Sequence, residues 1–390
     1  MARELKPRRG TTAQHSAFIG VDGEVTLDTT KKALVIHDGV TAGGLPIPTF
    51  DDIASPISES VFVNVPADYA TLQAALNFAQ ANLYINPNTI VVISVSSSFT
   101  VTQQPVINDG DMRNVIIQSA GGTVSVDTGA FIAQFDTEGT RPFMLGRRSL
   151  MPRLHGNWTA IGANAATTSF LTLSQSQGAL STLFAGLTLT GFGVGVQMLR
   201  GSRCNAEQVS ITATTPFIIK SNSIMDYNLG TINGPVLVDT GGKLVLHDTV
   251  CNNSVVVSGG ACTFAGTSSA VHGQIAAVGG GVVSGTVGTL YSAAGVAQLL
   301  ACSQGSRINL RLNVVNNSAN ATVNFVNMGT AGVLSVAVGA VSTVSSGLVA
   351  TLGAATHSQA SICGVTAVNY TGGYSQAVDV ITADGLIMAT

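Results

Sequence analysis

Carboxylates that stand close together along the chain are the residues with the clearest chemical potential. Asp109 pairs with Asp111, and Asp136 with Glu138. Two carboxyl groups flanking one bond can divide the acid role from the base or nucleophile role, as glycoside hydrolysis requires. Both pairs sit in turn sequences, Asp109-Gly110-Asp111 and Asp136-Thr137-Glu138-Gly139, where an acid also caps or solvates a loop. That structural reading is the stronger one, so no catalytic residue is assigned. Asp226, Asp239 and Asp248 stand singly, and Asp127 reads as a corner residue.

A second cluster holds Arg141, Arg147, Arg148 and Arg153, interleaved with Phe143, His155 and the sole tryptophan, Trp158. Arginine binds acidic groups bidentately and an indole ring stacks on apolar faces. Arg147, Arg148 and Trp158 are therefore candidates for a glycan-binding surface. A charged contact between subunits or domains is the competing reading. His37-Asp38 reads as part of a turn. The five cysteines have long, irregular spacing, with no C-x-x-C and no histidine at zinc-ligand spacing. They read as small buried hydrophobes, and neither a metal nor a cofactor is expected.

The elements that must position these groups are read from composition and pattern. Charged residues are 9% of the 390, against about 25% in an ordinary soluble domain. Ser, Thr, Asn and 44 Gly carry the polarity instead, which suits strands and tight turns. Net charge is −3 and no Lys/Arg patch dominates, so no nucleic-acid partner is expected. No apolar run reaches the roughly 20 residues that would span a bilayer, and no signal peptide is visible.

Three zones follow. Residues 1–58 are dense in charge and read as short strands and turns: a strand at His15–Ile19, Asp-Gly turns at 22–23 and 38–39, and strand segments before and after Lys31. Residues 59–295 open with a helix near 69–82, N-capped by Asp68 or Thr71. The Asn86-Pro87-Asn88 turn and an apolar strand at 89–95 follow, then many runs of three or four β-forming residues. Strands so brief and so numerous point to a right-handed parallel β-helix, with the helix capping its open end. At roughly 20–25 residues per coil this zone holds about ten coils. In residues 296–390 the strands are longer and alternate better, which points to an antiparallel, sandwich-like tip. The fold class is thus all-β throughout.

The first zone also carries a fixed pattern: Arg8-Arg9-Gly10-Thr11-Thr12, Gly23-Glu24, Asp28-Thr29 with Lys31, and His37-Asp38-Gly39. This resembles the N-terminal module of bacteriophage tail fibres and the phage major tropism determinant. The resemblance implies an intertwined, homotrimeric attachment module that joins the fibre to tail or baseplate proteins. The second zone, through Val65-Pro66, Tyr69 and Leu72–Leu76, resembles the pectate-lyase-like β-helix of phage tailspikes. Together they imply a virion protein, made in the host cytoplasm and not inserted in a membrane, that binds a host-surface polysaccharide or protein distally. A polysaccharide depolymerase on the same scaffold and a purely structural baseplate adaptor are the alternatives.

Overall fold

A column of buried corner residues organises the larger part of the chain. In successive coils the corner is Ser149, Ser176, Ser202, Ser223, Gly242, Gly260, Gly281 and Ser306, and a strand begins at the next residue each time. Those strands pair in parallel with the coil before and the coil after. The interval runs from 27 residues (149 to 176) down to 18 (242 to 260). The residue before each corner has positive φ: Arg148, Gln175, Gly201, Asn222, Gly241, Gly259, Gly280 and Gly305. A left-handed residue at this point redirects the chain, and Gly or Asn takes that conformation at least cost.

Serine at the corner answers a buried backbone donor. The N–H groups of Gly110, Ser149, Ser176 and Ser202 donate to the hydroxyls of Ser149, Ser176, Ser202 and Ser223 at 3.1–3.2 Å. All these serines are buried. Where glycine stands, space is the reason. A Cβ on Gly242 would lie 2.1 Å from the Ile219 carbonyl oxygen, and one on Gly281 2.3 Å from that of Val257.

The computed structural model describes residues 7–47, 60–85, 89–180, 186–292 and 298–316, and strand segments at 324–328, 332–342, 349–351, 359–363, 379–380 and 386–388. It divides into two compact units, Met1–Ser58 and Glu59–Thr390. The second unit is a parallel β-helix. Its interior is a set of in-register stacks, one being Cys204–Met225–Leu244–Cys262–Val283–Ile308. Each fully buried Val, Leu or Ile contributes about 1.5–3 kcal/mol. Cys204, Cys251, Cys262 and Cys302 are free and buried within such stacks. Burial pushes the thiols of Cys204 and Cys251 up to about 12, so they pack as apolar groups. The helix Leu72–Ile85 buries Leu72, Ala75, Leu76 and Ala79 against this core. Thr71 caps it, its hydroxyl accepting from the Ala74 N–H at 3.1 Å. The turn expected at 86–88 lies outside the described residues.

Two expectations need correction. Runs read as separate strands are joined: Val115–Asp127 and Val209–Ile219 are single strands that turn a corner, with a register shift in their pairing there. The pairing also does not change at residue 296. Gln298–Cys302, Arg307–Asn316, Val333–Ser342 and Gln359–Cys363 all extend the parallel ladders. Longer alternating strands were read as antiparallel because alternation reports a half-buried strand and not its direction. Among the described residues of the second unit, antiparallel strand pairing is confined to Gln359–Cys363, Asp379–Val380 and Leu386–Met388.

The first unit is a four-stranded sheet. Arg8–Gly10 lies parallel to Val25–Asp28, which pairs antiparallel with Ala33–Ile36, which pairs with Leu45–Pro46. The strand expected at His15–Ile19 does not form: His15 ends a short helix, Thr12–His15, and a turn and irregular chain follow it. A capping box decides this: Thr11 accepts from the Gln14 N–H while the Gln14 side chain accepts from the Thr11 N–H.

Candidate functional site: a polar groove on the β-helix

The corner geometry that builds the coils also aims side chains outward. Asp109 and Arg148 occupy the left-handed corner position in adjacent coils, with φ of 51° and 48°, and Gln175 follows with 53°. Their backbones are bonded coil to coil: the Asp109 N–H donates to the Arg147 carbonyl and the Arg148 N–H to that of Ser174. The Arg148 guanidinium then holds Asp109 bidentately, both bonds 2.8 Å. Asp111 is held the same way by Arg113, at 3.0 and 2.7 Å.

These pairs lie in a groove of two adjoining lobes. One, of about 650 Å³, is lined by Gln80 and Leu83 of the cap helix and by Asp109, Asp111, Arg113, Asn114 and Arg153. The other, of about 290 Å³, shares Asp109–Asp111 and continues past Arg148 to Gln175 and Gln177. The lining alternates charges and amides. It can supply several hydrogen bonds to a polyhydroxylated ligand lying across successive coils.

The remaining predicted residues fall elsewhere. Asp136 is held by Arg147 at 2.5 and 2.8 Å, and Gln134 also accepts from that guanidinium at 3.1 Å. Glu138 pairs with Lys220 at 3.0 Å, and Lys220 lies 3.6 Å from Asp239. Asp226 meets His247 at 3.2 Å, and Asp127 and Asp248 accept turn N–H groups. Trp158 is a correction: it is 1% exposed and packs among Phe143 and Phe170, with its indole N–H donating to the His155 carbonyl. Tryptophan is large and apolar, and the inward position of its strand claimed it for the core.

The electrostatics bear on the carboxylate pairs. Arg113 holds Asp111 below the usual carboxylate range, and Arg147 does the same for Asp136. A glycosidase general acid needs the opposite, a carboxyl kept protonated near neutrality. Asp111 and Asp136 are thus held as carboxylates in ion pairs with Arg113 and Arg147, which does not suit the general-acid role.

The residues of the N-terminal pattern hold their own unit together. Asp28 accepts from the Thr12 hydroxyl and from the N–H groups of Thr30 and Lys31. Asp38 accepts from the N–H groups of Val40 and Thr41 and from the Thr41 hydroxyl. Gly23 and Gly39 take φ of 79° and 75°, and Thr29 donates to the Gly10 carbonyl. Arg8 lies over the Phe18 ring and pairs with Glu24. The sequence reading missed one feature. Thr26, buried, joins His15 and His37 through its hydroxyl at 2.8 and 3.0 Å. Since the Gly20 N–H donates to His37 Nδ1, a neutral His37 donates from Nε2 to Thr26. Thr26 then donates to His15 Nε2, and His15 Nδ1–H donates to the Thr11 carbonyl.

Comparison with known proteins bears on this same unit. Residues 5–41 match the family described as the major tropism determinant N-terminal domain. The chain is 49% identical over 51 residues to the tail fiber receptor-binding protein of Bordetella phage BPP-1, covering 13% of each chain. The chain thus aligns with only a small part of that relative's length. A solved structure, the tailspike protein of Acinetobacter phage vB_ApiP_P1, aligns with a TM-score of 0.36 and 12% identity, over 99% of this chain and 75% of that one. The N-terminal segment is therefore similar to a segment of a phage tail-fibre protein, in line with its residue pattern.

Proposed function

We propose that this chain is a phage tail fibre or tailspike subunit, located in the virion tail, which binds the host surface. The N-terminal match carries this reading: a module that occurs in a phage tail-fibre protein precedes a β-helix bearing a polar groove. In this proposal residues 1–58 attach to the tail or baseplate, and the β-helix presents its surface, groove included, to a host glycan. The assembly is a homotrimer. Support comes from the apolar outer face of the module, where Leu34, Ile36 and Leu45 are 43%, 41% and 57% exposed on strands that pair with one another. Exposed apolar patches mark interaction surfaces.

The test is competition. Purified chain, added in excess to host cells, is expected to reduce adsorption of a phage carrying it. Undiminished adsorption at saturating protein would remove the receptor-binding reading and leave a structural tail component.

A further inference from the structure

The groove contains four cationic or anionic side chains that are already matched, Asp109 with Arg148 and Asp111 with Arg113. It contains a fifth, Arg153, that is not: among the described residues no carboxylate pairs with it. Its place explains this. Arg153 stands on the strand Leu150–Ile161, in register with Ile116 on one side and Ala179 on the other. Both flanking residues are apolar, so neither ladder neighbour offers it an anion. The nearby acid, Asp111, is bound by Arg113 two residues along its own turn. Arg153 is exposed and lines the larger lobe with Gln80 and Asn114.

We infer that Arg153 receives the carboxylate of an acidic sugar, so that the glycan bound in this groove is an anionic polysaccharide of the uronate or sialate class. With its other four charges paired, the groove carries one net positive charge, and a single carboxylate per bound repeat neutralises it. Guanidinium matches carboxylate in plane and spacing and is weakly hydrated, which favours such a pair over one with ammonium. The amides of Gln80, Gln175 and Gln177 serve the sugar hydroxyls along the same groove. The inference rests on the receptor-binding reading above.

Surface polysaccharide is extracted from a host strain of a phage carrying this chain, and half is carboxyl-reduced, which turns each carboxylate into a neutral alcohol without changing the linkages. Binding of both polymers to the immobilised full-length protein is measured, alongside adsorption blocking by the same protein. Native polymer is expected to bind at least tenfold more tightly than reduced polymer. Arg153→Gln should lose that advantage and bind both polymers alike, while Arg307→Gln, on an exposed strand position outside the groove, should behave as the parent. Arg153→Lys, which keeps the charge and loses the fork, should fall between. Unchanged melting temperatures certify that the variants fold. If the protein blocks adsorption but binds reduced polymer as well as native, or if Arg153→Gln binds as the parent does, the acidic-sugar assignment fails and receptor binding stands. If the parent neither blocks adsorption nor binds either polymer, the receptor reading itself fails, and this inference with it.

Discussion

At Asp38 one carboxylate organises a four-residue turn, accepting two backbone N–H groups and the Thr41 hydroxyl. Those bonds favour the charged form and lower its pKa from 3.8 to about 2, the Thr41 hydroxyl being the largest cause. A folded pKa below the unfolded one means stability that is complete above about pH 4 and is lost as the pH falls through about 2. Asp28, lowered chiefly by the Thr12 hydroxyl, has the same sign. Protection factors of the module amides, referenced to intrinsic exchange at each pH, should therefore fall between pH 4 and 2, and Asp38→Asn should flatten that dependence at its own turn. Trp158 belongs at this scale too. Trp158→Ala removes a fully buried ring from an aromatic cluster and should cost about 3–5 kcal/mol, read in a denaturation midpoint. The residue type was legible as significant, but its side was not. An aromatic ring suits a sugar face and a core equally, and only the inward direction of its strand position chose between them.

At the scale of elements, the corner column makes opposite demands in different coils. Gly242→Ala should be strongly destabilising, because the new methyl meets the Ile219 carbonyl and both are backbone-fixed. Ser202→Ala keeps the shape but orphans the Ser176 N–H in a dry corner, at about 1–3 kcal/mol. Thermal melts of the two variants would separate steric from hydrogen-bond requirements. Short β-forming runs split by Gly, Asn and Ser announced this architecture, because each coil must spend several residues turning. The corner serines were not distinguishable from the many other serines of the chain. Their role exists only once coils stack and an N–H of one lies beneath a hydroxyl of the next. The misread of residues 296–363 has the same root. A strand's partner direction is a property of two segments, and periodicity describes one.

For the whole molecule, the proposed homotrimer predicts a light-scattering mass near three times the 39.6 kDa chain. Replacing Ile36 with Lys on the outer face of the module should shift that mass downward if this face joins protomers, since it buries a charge without a partner. A monomeric mass for the parent chain in dilute buffer would overturn the trimer.

By itself the sequence determined that the chain is β-structured, that coils with left-handed corners compose most of it, and that residues 5–41 resemble the major tropism determinant N-terminal domain. Local propensity, turn chemistry and a fixed short pattern are all written in neighbouring residues, so they survive reading one residue after another. Only the tertiary structure decided which charges are spent. Asp109 and Arg148, 39 positions apart, meet because their coils are adjacent, and Asp136 finds Arg147 because a loop folds back on its own strand. Arg153 goes without such a partner because its ladder neighbours are isoleucine and alanine. Ion pairing depends on distances across coils, and those distances arise only when the stack closes.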